Sequence, residues 1–407
     1  MSEMSVSTEE KGSAGRLVLP SLFVSEFATQ PSAIVTGLLL VDIGLTFGYP
    51  VGVTGQIRTG FHVASVIFAL LMGVLSLRFR HKFLLVVGLL LFGISALGCA
   101  FAPSFDTMLV SYSIGGLGMA MVAPMCLTLV GEHFPREKRG SVIGWVFSGQ
   151  SIAYVVGTPV IGFIAGFGGW RLAFLGFVLP IALFSLVLAI RGVPSTRGSQ
   201  QSGLGMRDYL AGFKRVFSFR SADACLVGTA LSMAAWAAVL TYSASFYRQR
   251  FLVSTGFASI FLLVAALCVT VGNLIGGRLV KRIGRKPLTV LAALFVGIFT
   301  VSYASLQDIW VSLAAAWLAS FFHAVKETAS NSLTLEQVPE FRGTMMSINS
   351  AAGNLGSSLG AGVGGLVVLL FNYEGMAMAL GAMSFTAAMV YQLLAIDPAK
   401  TGMQTHS

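Results

Sequence analysis

Charged residues are scarce in this chain. They make up 10% of its 407 residues, whereas a soluble domain carries about 25%. Apolar residues make up 55% of the chain, in runs long enough to cross a bilayer, which takes about 20 residues per helix. The composition argues against a soluble enzyme and predicts an all-α integral membrane protein, because a segment in lipid must satisfy its own backbone polar groups.

The chain also lacks the patterns typical of catalytic and metal sites. Its four cysteines, Cys99, Cys126, Cys225 and Cys268, are scattered in apolar runs without disulfide or metal-ligand spacing. Neither an HExxH motif nor a phosphate-binding loop occurs. We therefore predict no catalytic residue, no metal and no cofactor, and keep a membrane enzyme or sensor only as a distant alternative.

Basic residues outnumber acidic ones, with a net charge of +10. Most of the 26 Lys and Arg residues fall in alternate loops and in the tails, which is the positive-inside distribution. Arg58 is one of the few assigned to an opposite, external loop, which precedes a span at Phe61–Leu77. This pattern indicates membrane topology and argues against nucleic-acid binding. We predict a multi-pass protein of the plasma or inner membrane, with both termini in the cytoplasm.

The chain repeats itself. GVLSLRFRHK begins at Gly73 and GRLVKRIGRK at Gly277, and EHFPREKRG begins at Glu132 and EQVPEFRG at Glu336; both pairs are 204 residues apart. One offset of half the chain indicates two similar halves in the same order, which is a transporter architecture. We expect 12 transmembrane helices in two pseudo-symmetric six-helix bundles. The predicted division is an N-terminal tail at 1–17, bundles at 18–191 and 224–397, a linker at 192–223 and a C-terminal tail at 398–407.

The two basic loops resemble the signature of the major facilitator superfamily, G-x-L-x-D-R-x-G-R-K. The matching residues are Gly73, Arg78 and Lys82 in the first copy, and Gly277, Arg282, Gly284, Arg285 and Lys286 in the second. The resemblance implies that these loops are conformational gates while Val18–Arg191 and Ala224–Ile396 rock about a central site. The family's aspartate is replaced by Leu77 and Lys281, and Glu132 or Glu336 is the candidate substitute.

Span 5 contains the glycine- and proline-rich stretch SGQSIAYVVGTPVIGFIAG. Its Gly157, Pro159 and Gly162 resemble the antiporter signature of the family, G-x-x-x-G-P-x-x-G-G, which implies export by antiport. Glycine-mediated helix packing is the alternative explanation. Tyr112 stands where proton-linked members often carry an arginine in span 4, so coupling is expected to run through spans 1 and 10.

Few ionisable residues lie inside the predicted spans. Glu26 in span 1 and His323, Lys326 and Glu327 in span 10 are the proton-coupling candidates, because such residues usually line an aqueous path. Gln30 is expected on the same helix face as Glu26. Lys326 and Glu327 are about 100° apart around the helix and are expected to be poor partners for each other. A fixed ion pair of Lys326 with Glu26 or Glu327 is the alternative.

Aromatic and amide side chains in the spans predict a pocket with few charges. The substrate-cavity candidates are Gln30, Gln150, Tyr154, Trp236, Tyr242, Phe322, Asn331 and Asn354. This lining suits a neutral or cationic amphipathic molecule better than a polyanion. We predict a secondary active transporter that exports drug-like or metabolite molecules by alternating access and proton antiport. Import by a proton symporter or a facilitator is the alternative. The expected partners are the small-molecule substrate, protons and the lipid bilayer, and the chain is expected to function as a monomer.

Overall fold

The computed structural model describes residues 17–194 and 214–397, and their secondary structure is helical throughout. Before the gap, the helices are α1 (17–28), α2 (Pro31–Leu38), α3 (Leu40–Phe47), α4 (Val51–Thr54), α5 (Gln56–Arg78), α6 (His81–Ala100), α7 (Phe105–His133), α8 (Arg136–Ala173), a π-helix (Phe174–Val178) and α9 (Leu179–Gly192). After it they are α10 (Arg220–Arg250), α11 (Thr255–Ile283), α12 (Arg285–Ser305), α13 (Ile309–Leu335), a 3₁₀ helix (Pro339–Phe341) and α14 (Arg342–Leu394).

Several helices have the length and hydropathy to cross a membrane. In the described residues eight qualify, or nine if a bent pair near the start counts as one span, so the number twelve stays a prediction. Two of the eight, Ser141–Gly192 and Pro339–Leu394, are 52 and 56 residues long, more than twice what one crossing needs. Non-helical residues interrupt them, at Gly168 and Gly169 and at Asn372. Each therefore has the length and the break for two crossings.

The first span is interrupted, although the sequence predicted one helix over Val18–Val41. α1 ends before Thr29 and Gln30, and Pro31 opens α2. Pro31 has no backbone N–H to donate to the carbonyl four residues earlier, so the hydrogen-bond ladder of α1 cannot continue through it. A second break at Leu39 bends the chain by 64°. The first span is therefore made of three short helices.

The stretch before span 2, predicted to be an external loop, is largely helical, so the prediction of a loop there is wrong. Pro50, in an extended conformation, precedes the short helix α4, and α5 begins at Gln56 rather than at Phe61. Arg58 consequently lies in a helix and is only 6% exposed. Its Nη1 donates to the Leu240 carbonyl at 3.4 Å. The glycines and the proline in this stretch suggested a loop, but they begin a helix instead.

The described chain forms two compact units. The first contains residues 17–48, 60–194 and 255–260, and the second contains 49–59, 214–254 and 261–397. The predicted bundle boundaries stay a prediction, since 49–59 groups with the second unit and 255–260 with the first. The predicted tails and most of the predicted linker lie outside the described residues.

Small residues let α10 and α14 pack closely in the second unit. A Cβ atom at Gly356 or Gly360 would collide with the backbone carbonyl of Ala230 or Ala234, respectively. The four-residue spacing on both helices keeps these residues on one face, as in other small-residue contacts between membrane helices. This packing fixes α10 against α14 and so positions the polar side chains that both helices carry.

Candidate functional site

A buried carboxyl group lies at the end of α1 in the first unit. Glu26 is 0% exposed, and Gln150 Nε2, on α8, donates to its Oε2 at 2.7 Å. Glu26 Oε1 has no hydrogen-bond partner among the described residues. Within the same residues, no basic side chain pairs with this carboxyl group. We call Glu26, Thr29 and Gln150 the Glu26 centre.

The interruption of the first span shapes this centre. Thr29 donates from both Oγ1 and its backbone N–H to the Glu26 carbonyl, at 2.7 and 3.2 Å. Gln30 Nε2 donates to Thr29 Oγ1 at 2.8 Å rather than to the Glu26 carboxyl group. The expectation that Gln30 shares a helix face with Glu26 assumed a continuous helix, whereas α1 ends before Thr29 and Gln30; a shared face stays a prediction. Gln150, predicted in the substrate cavity, is the amide that contacts Glu26.

A second polar cluster lies on α13 in the second unit. Lys326 Nζ is 2.9 Å from Glu327 Oε2, and the two side chains are 2% and 25% exposed. Asn331 Nδ2 donates to Glu327 Oε1 at 3.0 Å. The prediction that Lys326 and Glu327 are poor partners is wrong, because both side chains are long enough to turn towards each other. We call His323, Lys326, Glu327 and Asn331 the Lys326 centre.

An aromatic wall adjoins the Lys326 centre. The His323 ring stacks on Trp236 of α10, with centroids 4.0 Å apart and an interplanar angle of 10°. His323 and Lys326 also line a crevice in this unit that is too tight to hold a water molecule in this conformation. The other lining residues are Ser232, Ala293, Val296 and Ser384. The crevice therefore combines one cation, two hydroxyl groups and apolar surface.

Hydrogen bonds continue from Glu327 through the second unit. Asn349 Nδ2 donates to Asn331 Oδ1 at 3.1 Å, and Thr229 Oγ1 donates to Asn349 Oδ1 at 2.8 Å. The Tyr391 hydroxyl lies 3.3 Å from Thr229 Oγ1. The sequence analysis missed Asn349, Thr229 and Tyr391, although each is a polar residue within an apolar run. They connect the Lys326 centre to α10 and to both parts of α14.

The other cavity candidates have packing contacts of their own. Tyr242 is fully buried and donates to a backbone carbonyl of α14 at 2.9 Å. Phe322 stacks on Phe295 and Phe299, with centroid distances of 4.6 and 5.8 Å. Tyr154 is half-buried on α8. A role for these three side chains in substrate binding stays a prediction, as it does for Trp236.

Comparison with the sequences and structures of known proteins assigns this chain to a family. The family model of the Major Facilitator Superfamily matches residues 22–304 and 224–405. The chain belongs to the Major Facilitator Superfamily. It is 27% identical over 358 residues to a probable 4-methylmuconolactone transporter of Cupriavidus pinatubonensis, which covers 86% of this chain and 82% of that protein. It is 22% identical over 375 residues to the uncharacterized MFS-type transporter YwfA of Bacillus subtilis, over 90% and 89% of the two chains.

Solved structures show the same superfamily fold. The nucleoside transporter NupG matches with a TM-score of 0.77 at 14% identity, over 93% of this chain and 99% of that one. A D-xylose-proton symporter matches with a TM-score of 0.77 at 18% identity, over 94% and 98%. The protein is therefore an all-helical, multi-pass membrane transporter of small solutes.

The acidic residues proposed to replace the superfamily's loop aspartate each contact a basic side chain within their own unit. Glu132 Oε1 lies 2.5 Å from His81 Nδ1 in the first unit. In the second, Glu336 lies 2.7 Å from Arg342 and 3.9 Å from Arg285. His81 and Arg285 are 204 residues apart, as are the two acids. The repeat seen in the sequence thus extends to an acid–base contact in each unit.

The superfamily's loop motif lies where helices end. Gly284 has a φ of 95° and connects α11 to α12, a conformation that favours glycine. Lys82 Nζ donates to the Ile190 carbonyl at 2.7 Å. A gating role for the motif stays a prediction for all of its residues, Gly73, Arg78, Lys82, Gly277, Arg282, Gly284, Arg285 and Lys286.

The span 5 motif packs tightly within the first unit. A Cβ atom on Gly157 would lie 3.0 Å from Ile34, and one on Gly162 would lie 2.7 Å from Ser259. Pro159 sits inside α8, where it removes one helix hydrogen bond. The glycines therefore have a packing role, and the antiport role of the motif stays a prediction.

Proposed function

We propose that the protein exports a small organic solute by exchange for protons, and that Glu26 carries the proton. Solute and proton cross by alternating access of one transport pathway. The solute is a metabolite or a drug-like molecule of low charge. The resemblance of this chain's motifs to those of the superfamily implies such a mechanism.

The surroundings of Glu26 support the choice of proton carrier. Burying an ionised carboxyl group without a cation costs several kcal/mol, and the neutral acid costs much less. Glu26 is buried, has one amide donor and is paired with no basic side chain in the described part of the chain. A proton is then the simplest neutralising partner. The adjacent helix break supports this choice, since interrupted helices form ion and substrate sites in transporters.

The export direction rests on Gly157, Pro159 and Gly162. Import by a proton symporter or a facilitator is the second candidate, and Tyr112 allows it. Tyr112 replaces the arginine expected of proton-linked members, and its hydroxyl lies 3.0 Å from Thr36 Oγ1, so this position holds a neutral hydrogen bond. The two directions are distinguished by which pH gradient, acid inside or alkaline inside, drives accumulation of the solute.

The test uses proteoliposomes that contain a pH-sensitive dye. The solutes are a lactone, a nucleoside, D-xylose, a cationic drug and a small carboxylate. An inside-acid gradient should drive uptake of one solute if the protein is an antiporter, and an inside-alkaline gradient should do so if it is a symporter. Proton flux should disappear in Glu26→Gln and persist in the surface control Glu340→Gln, whose side chain is 68% exposed. Equilibration without proton flux would overturn proton coupling, and coupling that survives in Glu26→Gln would remove Glu26 from the mechanism.

A further inference from the structure

Lys326 is a cation that the described residues satisfy only in part. An ammonium group has three N–H donors, and one of them reaches Glu327 Oε2 at 2.9 Å. The side chain is 2% exposed. A charge held this far from water is stabilised by an anion and by further acceptors. Its immediate surroundings therefore determine what it can bind.

Two hydroxyl groups next to this cation lack partners. Ser232 and Ser384 are 6% and 2% exposed, and neither Oγ has a hydrogen-bond partner among the described residues. Both residues line the same narrow crevice as Lys326 and His323. Buried hydroxyl groups are normally satisfied, so the crevice holds unused donors beside an ammonium group.

The counter-ion of Lys326 is replaceable. Glu327 is 25% exposed on its side chain, and its other oxygen is held by Asn331 at 3.0 Å. If Glu327 turned away from Lys326, it would keep the Asn331 amide and gain water. The carboxylate group of another molecule can then occupy the position that Glu327 Oε2 has left. Such an exchange leaves the charge at the ammonium group balanced.

We infer that Lys326 binds the carboxylate group of a monoanionic organic solute, which displaces Glu327. The crevice is closed in this conformation, so binding requires it to open as Glu327 turns away. Hydroxyl donors from Ser232 and Ser384 then complete the carboxylate site, and the aromatic rings of His323 and its stacking partner Trp236 lie beside it for an apolar or aromatic body. One cation accommodates one negative charge, which favours monocarboxylates over dicarboxylates and phosphates. This inference names the substrate class of the proposed transporter and rests on that function.

The test measures ligand binding by the purified full-length protein in detergent, through thermal stabilisation and calorimetry. Benzoate, benzamide and benzylamine share one ring and differ in charge, and hexanoate and hexanamide repeat the comparison without a ring. Benzoate or hexanoate should bind the wild type, and the matched neutral and cationic compounds should not. Glu327→Gln should bind the carboxylate several-fold more tightly, because the resident competitor is gone, and the carboxylate should restore its thermal stability.

Lys326→Gln should lose carboxylate binding. The double variant Lys326→Gln/Glu327→Gln, which buries no unpaired charge, keeps this result interpretable if the single variant fails to fold. A purely structural ion pair predicts instead that Glu327→Gln is destabilised and that no anion rescues it. That outcome would overturn the inference. So would equal binding of benzamide, no carboxylate binding by any variant, or carboxylate binding that survives in the double variant.

Flux measurements separate this inference from the proposed function. Proton-coupled flux of benzamide or benzylamine, with none for the carboxylates, would reject the substrate class and leave proton-coupled transport intact. Carboxylate binding at Lys326 without proton flux for any solute would support the site and reject proton coupling. Chloride and inorganic phosphate serve as competitors, and displacement of benzoate by chloride alone would reassign the site to a small inorganic anion and overturn the inference.

Discussion

The carboxyl groups at the two centres described above are held in opposite ways. Glu26 in the first unit accepts a hydrogen bond from Gln150 at 2.7 Å and pairs with no basic side chain in the described residues. Glu327 in the second unit lies 2.9 Å from Lys326 and accepts from Asn331 at 3.0 Å. A proton can neutralise the first, whereas an ammonium group already neutralises the second. Neighbours, and not residue type, are therefore the basis on which we propose proton transfer for one and anion exchange for the other.

The backbone around the two carboxyl groups also differs. Glu26 lies just before the interruption at Thr29 and Gln30, whereas Glu327 lies within α13, which is continuous over 27 residues. An interrupted helix leaves backbone groups that need other partners, and Thr29 supplies some of them. A short helix can move independently of the next one. A change in the charge of Glu26 could therefore move α1 relative to α2.

The largest expected effect comes from making the Glu26 centre resemble the Lys326 centre. Gln150→Lys places an ammonium group within reach of Glu26 Oε2, which Gln150 Nε2 now contacts at 2.7 Å. An ion pair favours the charged carboxylate, so proton-driven solute accumulation should fall to the level seen without a pH gradient. Gln150→Met, which adds no charge, is the control and should retain part of the activity. Wild-type accumulation in Gln150→Lys would show that Glu26 does not need to change its charge.

The converse change removes the cation from the Lys326 centre. Lys326→Gln leaves Glu327 without its ion pair and should lower the free energy of unfolding by about 1–3 kcal/mol, less than for a fully buried pair because Glu327 is partly exposed. The double variant Lys326→Gln/Glu327→Gln should recover much of that loss. Chemical denaturation in detergent measures both. A double variant no more stable than the single one would mean that the two charges do not stabilise each other.

The sequence predicted much of the fold because that part depends on composition and repetition. The apolar runs identified an all-helical membrane protein, and the two basic loops identified the superfamily. Helix interruptions were harder to predict, since Pro31 breaks the first span whereas Pro50 and its glycine neighbours begin a helix. The pattern of one helix cannot show these outcomes, because they depend on which residues pack around the break.

The candidate sites were predictable only as a set of residues. Rare ionisable residues in spans pointed to Glu26, His323, Lys326 and Glu327. Their partners depended on side-chain reach and on contacts distant in sequence. The Lys326–Glu327 pair contradicts the angular argument, and the contact of Glu26 with Gln150 joins residues 124 positions apart. Residue spacing along one helix carries no information about such contacts.

A smaller effect is expected from cutting the hydrogen-bond chain beyond Glu327. Asn331→Leu removes the amide donor to Glu327 and the acceptor for Asn349, which should cost about 1–2 kcal/mol of stability in the same denaturation assay. Asn354→Leu, a substitution of the same size on α14, is the control and should cost less. Equal losses in the two variants would indicate a general intolerance of leucine at these depths rather than a role for the network.

The smallest expected effect concerns Pro159 of the span 5 motif in the first unit. Pro159→Ala restores a backbone donor inside α8 and stiffens it, so turnover should fall a few-fold while solute binding persists. Pro135→Ala is the matched control, because Pro135 is the N-cap of α8 in extended backbone, where proline removes no helix bond. Solute binding measured in detergent and exchange rates measured in proteoliposomes separate the two steps. Wild-type turnover in Pro159→Ala would leave only the packing of Gly157 and Gly162 as the role of the motif, and would remove the main support for export over import.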